Sequence, residues 1–430
     1  MKFVADFHIH SKYSRATSKD MDVEHLDKWA KIKGIKVLGT GDFTHPVYFK
    51  ELKAALEPAE PGLFKLKSAA VKRTKKLLGD FQLPENDTRF MLTAEISCIY
   101  SKKNRTRKVH VLIFAPSFEV VEKINARLGW IGNIQSDGRP ILGLDAKELA
   151  KIVLDISKDC MIIPAHAWTP WFSVFGSASG FDSLEECFDE YTKHIYAIET
   201  GLSSDPAMNW RLSQLDKITL ISNSDSHSPS RIGREANVFD TKIDYYSIMD
   251  VLKKKDEKKF LYTVEFFPEE GKYHADGHRK CNIVFNPEET HKNKGICPVC
   301  KKPLTIGVLY RVMQLADRPE GYKPEKAIPY KSLVPLDQII ADTLDLGVAT
   351  KGVQKKYTEI INNLGSEFNV LLNATRGEIE SVSSVGIAEG VLRVREGRLK
   401  IEPGYDGEFG VVKIFDEKER KNFSKQNSLF

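Results

Sequence analysis

Seven apolar runs of strand length in the first half of the chain each lead into a helical pattern, and most end in a histidine or a carboxylate. The runs are KFVADF, IKVLGT, RFMLTAEI, KVHVLIF, CMIIP, IYAIE and ITLIS, with amphipathic stretches such as VEHLDKWAKIKG and AKELAKIVLDIS between them. Strand–helix series with right-handed crossovers close into a barrel or wind into an open parallel sheet. In a closed parallel sheet every carboxyl end opens on one face, so residues far apart in sequence converge there. The strand ends here carry His8 and His10, Asp42, Glu95, His110, His166, Glu199, and Asp225 with His227. Imidazole suits Zn, Fe and Mn, and carboxylate suits Mg and Mn. The expectation is an α/β fold, a distorted seven-stranded barrel with a metal-lined mouth.

His8 and His10 lie two apart on a strand, so both side chains point to one face and can chelate one ion. Asp225 and His227 repeat that spacing at another strand end. Glu95 is the carboxylate among the histidines and could bridge two ions through its two oxygens; its alternative is a salt-bridged surface glutamate. His110 and His166 are embedded in apolar strand sequence, where a lone histidine is usually a satisfied core residue; their convergence with the others argues otherwise. Two or three clustered divalent ions suit phosphoester hydrolysis, by activating water and stabilising charge on phosphorus. No Ser-His-Asp triad or phosphate-cradling P-loop accompanies them.

At 430 residues the chain exceeds what one core organises. The barrel is expected over 1–259, a zinc-binding module over 260–320, a small, mainly helical C-terminal domain with a β-rich end over 321–424, and a tail over 425–430. Within the module, His278 and Cys281 form one chelating pair and Cys297 and Cys300 a second, a spacing that fits one structural zinc, with His274 as rival to His278. Cys98, Cys160 and Cys187 sit singly in apolar settings and read as buried thiols. The opening residues run straight into a strand, and no apolar run reaches membrane-spanning length, so a cytoplasmic protein without a membrane partner is expected.

The balance of 64 Lys+Arg against 59 Asp+Glu, a net charge of +5, permits a polyanionic partner without demanding one. Lys102, Lys103, Arg105, Arg107 and Lys108 follow Glu95 and are candidates for DNA binding at the mouth, or else a solvated turn. Trp168 and Trp171, after His166, could stack an unpaired base, or the loop folds back on the barrel. The tail Lys425 to Phe430 resembles the opening of a sliding-clamp binding peptide, with frayed tail as the alternative.

The motifs Phe7-His8-Ile9-His10-Ser11, Gly41-Asp42, Ala94-Glu95, Val109-His110, Ala165-His166 and Ser224-Asp225-Ser226-His227 resemble those of the polymerase and histidinol phosphatase (PHP) superfamily. That resemblance implies one ion held by His8, His10, Glu95 and Asp225, and a second by Glu95, His110 and His166. His227 matches a third site, but Phe43 stands where that superfamily commonly has histidine, leaving Asp42 or His45 as substitute ligands. Beyond the barrel, Phe267 to His274, Asp276-Gly277-His278, the Cys-Pro-Val-Cys knuckle, Leu304 to Leu309 and Pro403 to Gly407 resemble the endonuclease Q family. The implied activity is hydrolysis of the phosphodiester 5′ of a deaminated base (uracil, hypoxanthine, xanthine) or an abasic site in damaged DNA, duplex or single-stranded. The implied cofactors are two or three divalent ions (Zn, Mn or Mg) in the barrel and one structural zinc. A small-molecule phosphatase on the same barrel, or a non-catalytic zinc-ribbon adaptor on DNA, are the alternatives.

Overall fold

The computed structural model describes residues 1–83, 87–420 and 423. All seven expected strands are present: β1 (Lys2–Asp6), β2 (Val37–Gly39), β3 (Arg89–Lys102), β4 (Arg105–Ala115), β5 (Met161–Pro164), β6 (Ala197–Glu199) and β7 (Thr219–Ile221). β1 pairs with β2 and β2 with β3 in parallel, and β6 pairs in parallel with β7. Backbone hydrogen bonds complete the ring. Ala167 N donates to Glu199 O at 2.9 Å beyond β5 and β6, and His10 N donates to Ser226 O at 2.9 Å beyond β1 and β7.

One strand departs from the expected geometry. β4 runs antiparallel to both neighbours, pairing its Leu112 with Glu95 of β3 and its Val111 with Pro164 of β5. The cause is the two-residue turn Lys103–Asn104, whose φ values of 53° and 57° are both left-handed, as in the type I′ turn whose twist matches a hairpin. A crossover helix was therefore never needed between these strands. Because β4 runs away from the hairpin tip, His110 sits in its body rather than at its carboxyl end, yet faces the same pocket.

All seven strands contribute to one apolar cluster, including Phe3, Ala5, Phe7, Val37, Met91, Leu112, Phe114, Ile163, Ala197 and Ile221. Phe7 meets Phe114 edge-on, with ring centroids 5.7 Å apart. The helix Tyr245–Lys254 closes one end, the Tyr245 hydroxyl donating to Phe114 O and Asp159 O. Sheet pairing continues beyond residue 259. β8 (Ala236–Asp240) pairs antiparallel with β1, β9 (Phe260–Glu265) pairs with β8, and strand Tyr330–Ser332 pairs with β9 in parallel, so the sheet runs past 259.

The following module is a hairpin, Asp276–His278 with Ile283–Phe285, and a short helix, Pro287–Lys292. Arg311 on helix Val308–Leu315 ties it to the barrel, its Nε donating to Phe175 O at 3.0 Å. Among the described residues the C-terminal region holds the helices Leu336–Leu344, Lys351–Leu364, Glu367–Leu372, Arg376–Val382 and Val385–Arg395, with 417–420 helical as well. The region is mainly helical, and its β-rich end reduces to strands Lys400–Glu402 and Val411–Lys413. Local capping overrides the β-branched composition: Thr375 and Glu378 form a reciprocal capping box, and the Ser384 side chain accepts from Ile387 N. Among the described residues, no helix is long and apolar enough to cross a membrane.

Candidate metal centre

Beyond β1 the chain stays extended through the Ile9–Ser226 bridge, which carries His8 and His10 into the mouth with ring centroids 5.3 Å apart. Each ring is fixed from behind by a buried carboxylate. The Nδ1 of His8 lies 3.0 Å from both oxygens of Glu199, at the end of β6. Glu199 also accepts from His166 N at 2.7 Å and Asn223 Nδ2 at 2.9 Å. The Nδ1 of His10 meets Asp42 Oδ1 at 3.1 Å, and Asp42 Oδ2 accepts from Ser11 N, Ser11 Oγ and Ser14 Oγ at 2.6–2.8 Å. With Nδ1 of each ring set against a carboxylate, Nε2 of each ring faces the pocket, the arrangement metal-binding histidines use.

Glu95 stands between two groups of ligand atoms. Its Oε2 lies 3.7 Å from His8 Nε2 and 3.4 Å from His10 Nε2. Its Oε1 lies 2.8 Å from His110 Nδ1 and 3.0 Å from His166 Nε2. Asp225 Oδ1 completes the first group, 3.5 Å from His8 Nε2 and 2.9 Å from His10 Nε2. The triads His8/His10/Glu95, Glu95/His110/His166 and His10/Asp225/His227 each bring their ligand atoms within 4.8 Å of one another. The decisive atom is His8 Nε2, which is buried and, among the described residues, has no hydrogen-bond partner while facing two carboxylates. Such a group costs free energy unless something fills the space, and a divalent cation fits this donor set.

The surrounding carboxylates attract positive charge to this spot, held by protons on the rings where a cation would otherwise sit. Burial opposes charge on His10, yet Asp42 and Asp225 outweigh it and lift the imidazole to about 9; Glu199, Asp225 and Glu95 raise His8 as well. Burial also opposes ionisation of Glu95, but His110, Arg139 and His8 hold it well below the usual carboxylate range, and His8 and His10 depress Asp225 in the same way. His110 is pushed down to about 4, chiefly by burial, and stays a neutral donor. The backbone is strained at the same place. Asp42, His166 and Asp225 have φ of 45°, 28° and 46°, a left-handed region non-glycine residues seldom occupy. Gly201 (φ 64°) must lack a side chain, since a Cβ there would lie 2.5 Å from that of His166.

Two expected ligands take other positions. Both oxygens of Asp42 are spent on His10 and two serines, so Asp42 orients a ligand and belongs to none of the triads. His45 caps the helix Pro46–Ala55, its side chain accepting from Tyr48 N while it stacks on Tyr13. His227 does join a triad, with its ring 4.5 Å from that of His10. Sequence reasoning missed Arg139, whose guanidinium reaches Glu95 Oε2 at 3.1 Å from a loop with no motif. It also left Glu199 without a role.

The second site is as expected: His278, Cys281, Cys297 and Cys300 bring their ligand atoms within 4.8 Å of one another. The hairpin turn at Asn282 (φ 52°) and the knuckle closed by Cys297 N to Lys302 O set this geometry. Four N/S donors with no fifth position suit structural zinc. His274 lies outside the group, and Cys98, Cys160 and Cys187 are buried thiols.

The expected DNA contacts divide. Trp168 is fully buried, its Nε1 donating to Asn209 Oδ1 at 2.8 Å, and cannot meet a base. Arg107 is buried over the Phe181 ring and Lys102 pairs with Asp189 at 2.9 Å, so these two cations are spent within the fold, whereas Lys103 stays exposed, 3.4 Å from Glu186. Arg105, near the hairpin tip, is exposed. Lys108 stays at the mouth, 5.3 Å over the Phe172 ring that itself lies 4.8 Å from His110. Trp171 is 44% exposed and meets Tyr273 of the zinc module edge-on at 5.7 Å. The clamp-like tail lies outside the described residues.

A family model described as the MJ0043 C-terminal domain matches residues 335–398, in the helical region. The uncharacterized protein MJ0043 of Methanocaldococcus jannaschii is 32% identical over 311 residues, 69% of this chain; the chain spans 38% of that protein's length. YqxK of Bacillus subtilis is 28% identical over 429 residues, covering 96% of this chain and 99% of its own. Among solved structures, the lesion-specific endonuclease PfuEndoQ from Pyrococcus furiosus superposes with a TM-score of 0.83 at 32% identity, over 97% of this chain and 96% of that one. Endonuclease Q bound to a 27-mer duplex with an abasic lesion at its active site superposes with a TM-score of 0.82, also at 32% identity, over 98% of both chains. With identity at this level along the whole of both folds, barrel, cysteine module and helical end alike, the chain belongs to the endonuclease Q family.

Proposed function

We propose that this protein is a metal-dependent DNA repair endonuclease that hydrolyses the phosphodiester 5′ of a deaminated base, uracil, hypoxanthine or xanthine, or of an abasic site. The observation that carries the metal dependence is the buried Nε2 of His8, unpartnered among the described residues, facing Glu95 and Asp225. Family membership carries the nucleic-acid substrate, since endonuclease Q acts on duplexes bearing lesions.

In this reading His8, His10, Glu95 and Asp225 hold one ion, Glu95, His110 and His166 a second, and His227 extends the set toward a third. Divalent ions so held supply activated water near neutral pH and neutralise charge on the phosphate. The chain's own residues do the positioning. Glu199 and Asp42 hold the Nδ1 atoms of His8 and His10, so that both Nε2 atoms would turn toward an ion, and Glu95 turns one oxygen toward each group. Asp225 and His227, 24% and 32% exposed, form the open rim by which a phosphate enters. A base under inspection leaves the stack at a cost of a few kcal/mol, least for mispaired or missing bases, and Trp171 beside the zinc module offers it a stacking surface.

The test uses labelled duplexes containing uracil, hypoxanthine, xanthine, an abasic site or no lesion, with Mg²⁺ or Mn²⁺ and with chelator. Nicking 5′ of the lesion, only with metal, is the expected result. Turnover of phosphomonoesters with intact lesion duplexes would overturn the reading in favour of a small-molecule phosphatase.

A further inference from the structure

We propose that Arg139 is a catalytic residue that grips the non-bridging oxygens of the scissile phosphate; this deepens the phosphoester reading of the centre and rests on it. The guanidinium lies against the shared ligand, Nη1 to Glu95 Oε2 at 3.1 Å, with its side chain 26% exposed.

The loop that carries it is pinned on either side. Gly138 N donates to Tyr13 O at 3.0 Å, and Ser97 N donates to Pro140 O at 3.0 Å. Asp137 Oδ1 accepts from Arg139 N at 3.0 Å. Gly138 packs so closely on the centre that a Cβ there would lie 2.2 Å from Asp42 Oδ2. With Gly138 and Pro140 buried on either side, the guanidinium is held in a fixed place at the mouth, as positioning of a reacting group requires.

The plainer role is a salt bridge that orients Glu95. The charges argue for more. Glu95 Oε2 already faces two histidine nitrogens where a cation would sit. Once a cation takes that carboxylate, the guanidinium becomes a further positive charge beside a positive centre, and the group that relieves it is an anion. Glu95 uses one of five guanidinium N–H donors, and among the described residues no other side chain accepts from them. The remaining fork matches the oxygens of a phosphate, which it binds more specifically than a lysine does. Arg139 shares the half-open rim with Asp225 and His227, the side from which substrate arrives.

Arg139→Gln and Arg139→Lys, in the full chain loaded with Mn²⁺, test the proposal through three measurements. Manganese affinity and melting temperature should match the wild type. Inorganic phosphate, titrated calorimetrically, should bind Arg139→Gln about tenfold or more weakly, the loss expected from one charge-assisted hydrogen bond. The single-turnover rate on uracil duplex should fall about a hundredfold or more, as for removal of one donor to a transition-state oxyanion, with duplex affinity nearly unchanged and partial recovery in Arg139→Lys. Loss of manganese from Arg139→Gln would overturn the proposal and make the arginine a holder of Glu95. Unchanged phosphate affinity and cutting rate would overturn it outright. If the wild type cuts no lesion duplex yet binds phosphate through Arg139, the nuclease reading falls while the phosphate grip stands.

Discussion

Glu199→Gln should damage the metal centre by changing a proton, with no change in size. The carboxylate accepts on both oxygens: Oε1 faces His8 Nδ1 and Asn223 Nδ2, and Oε2 faces His8 Nδ1 and His166 N. An amide places an NH2 group at one of these positions. Toward Asn223 it meets another amide donor; toward His166 it meets a backbone N–H. In either orientation the new NH2 also faces His8 Nδ1, and it can donate there only if that nitrogen gives up its proton, which leaves the hydrogen on Nε2 and removes the lone pair that would hold a metal. Removing such a supporting partner costs about 10- to 100-fold in metal affinity, or about 1.4 to 2.8 kcal/mol. Calorimetric titration of the metal-free variant with Mn²⁺ or Zn²⁺ should show this weakening at the site containing His8, while the His110/His166 group keeps more of its affinity. Cleavage should recover at raised metal concentration. Titration curves that superimpose on the wild type would refute the reasoning.

Three further outcomes are expected. Cys300→Ser should release zinc to a chromogenic chelator and open residues 276–305 to limited proteolysis, because metal binding is folding free energy in so small a module; a protease-resistant, zinc-free variant would count against a structural ion. Burial is the main cause that pushes Glu265 up to about 8, so its proton favours the folded chain: the stabilisation is full below the ordinary carboxylate range and is lost as pH rises through about 8. Glu265→Gln should therefore flatten the decline in urea-melt stability between acid and mildly alkaline pH, and parallel profiles would exclude the effect. Trp168→Ala should lower stability by about 3–5 kcal/mol, whereas Trp171→Ala should leave melting unchanged and weaken lesion-duplex binding by about 1–3 kcal/mol; calorimetry and fluorescence anisotropy separate the two.

The seven barrel strands were legible because each is an apolar run bounded by turn residues, and their histidines and carboxylates mark the pocket. The direction of β4 was not, since only Asn104 in the turn hints at left-handed backbone and the strand pattern reads the same either way. Asp42 and Glu199 were visible as strand-end acids; that they face imidazole nitrogens rather than the pocket depends on χ angles and ring closure, which no spacing encodes. Arg139 belongs to a loop placed by contacts from Tyr13 and Ser97, both distant in sequence. Trp168 and Trp171 sit three residues apart in one aromatic stretch, and only the turn into the core separates a buried ring from an exposed one.

The β3–β4 hairpin also sets an order of assembly. Glu95 and His110 come together through one tight local turn, and hairpins form in about 1–10 μs. His110 and His166 are 56 residues apart, whereas His10 and Asp225 are 215 apart and meet only when the ring closes. Loop-closure entropy delays such distant pairs. During folding the Glu95/His110/His166 half of the centre is thus the first able to capture an ion, and a metal taken up there would staple three strands before the amino terminus has found its place.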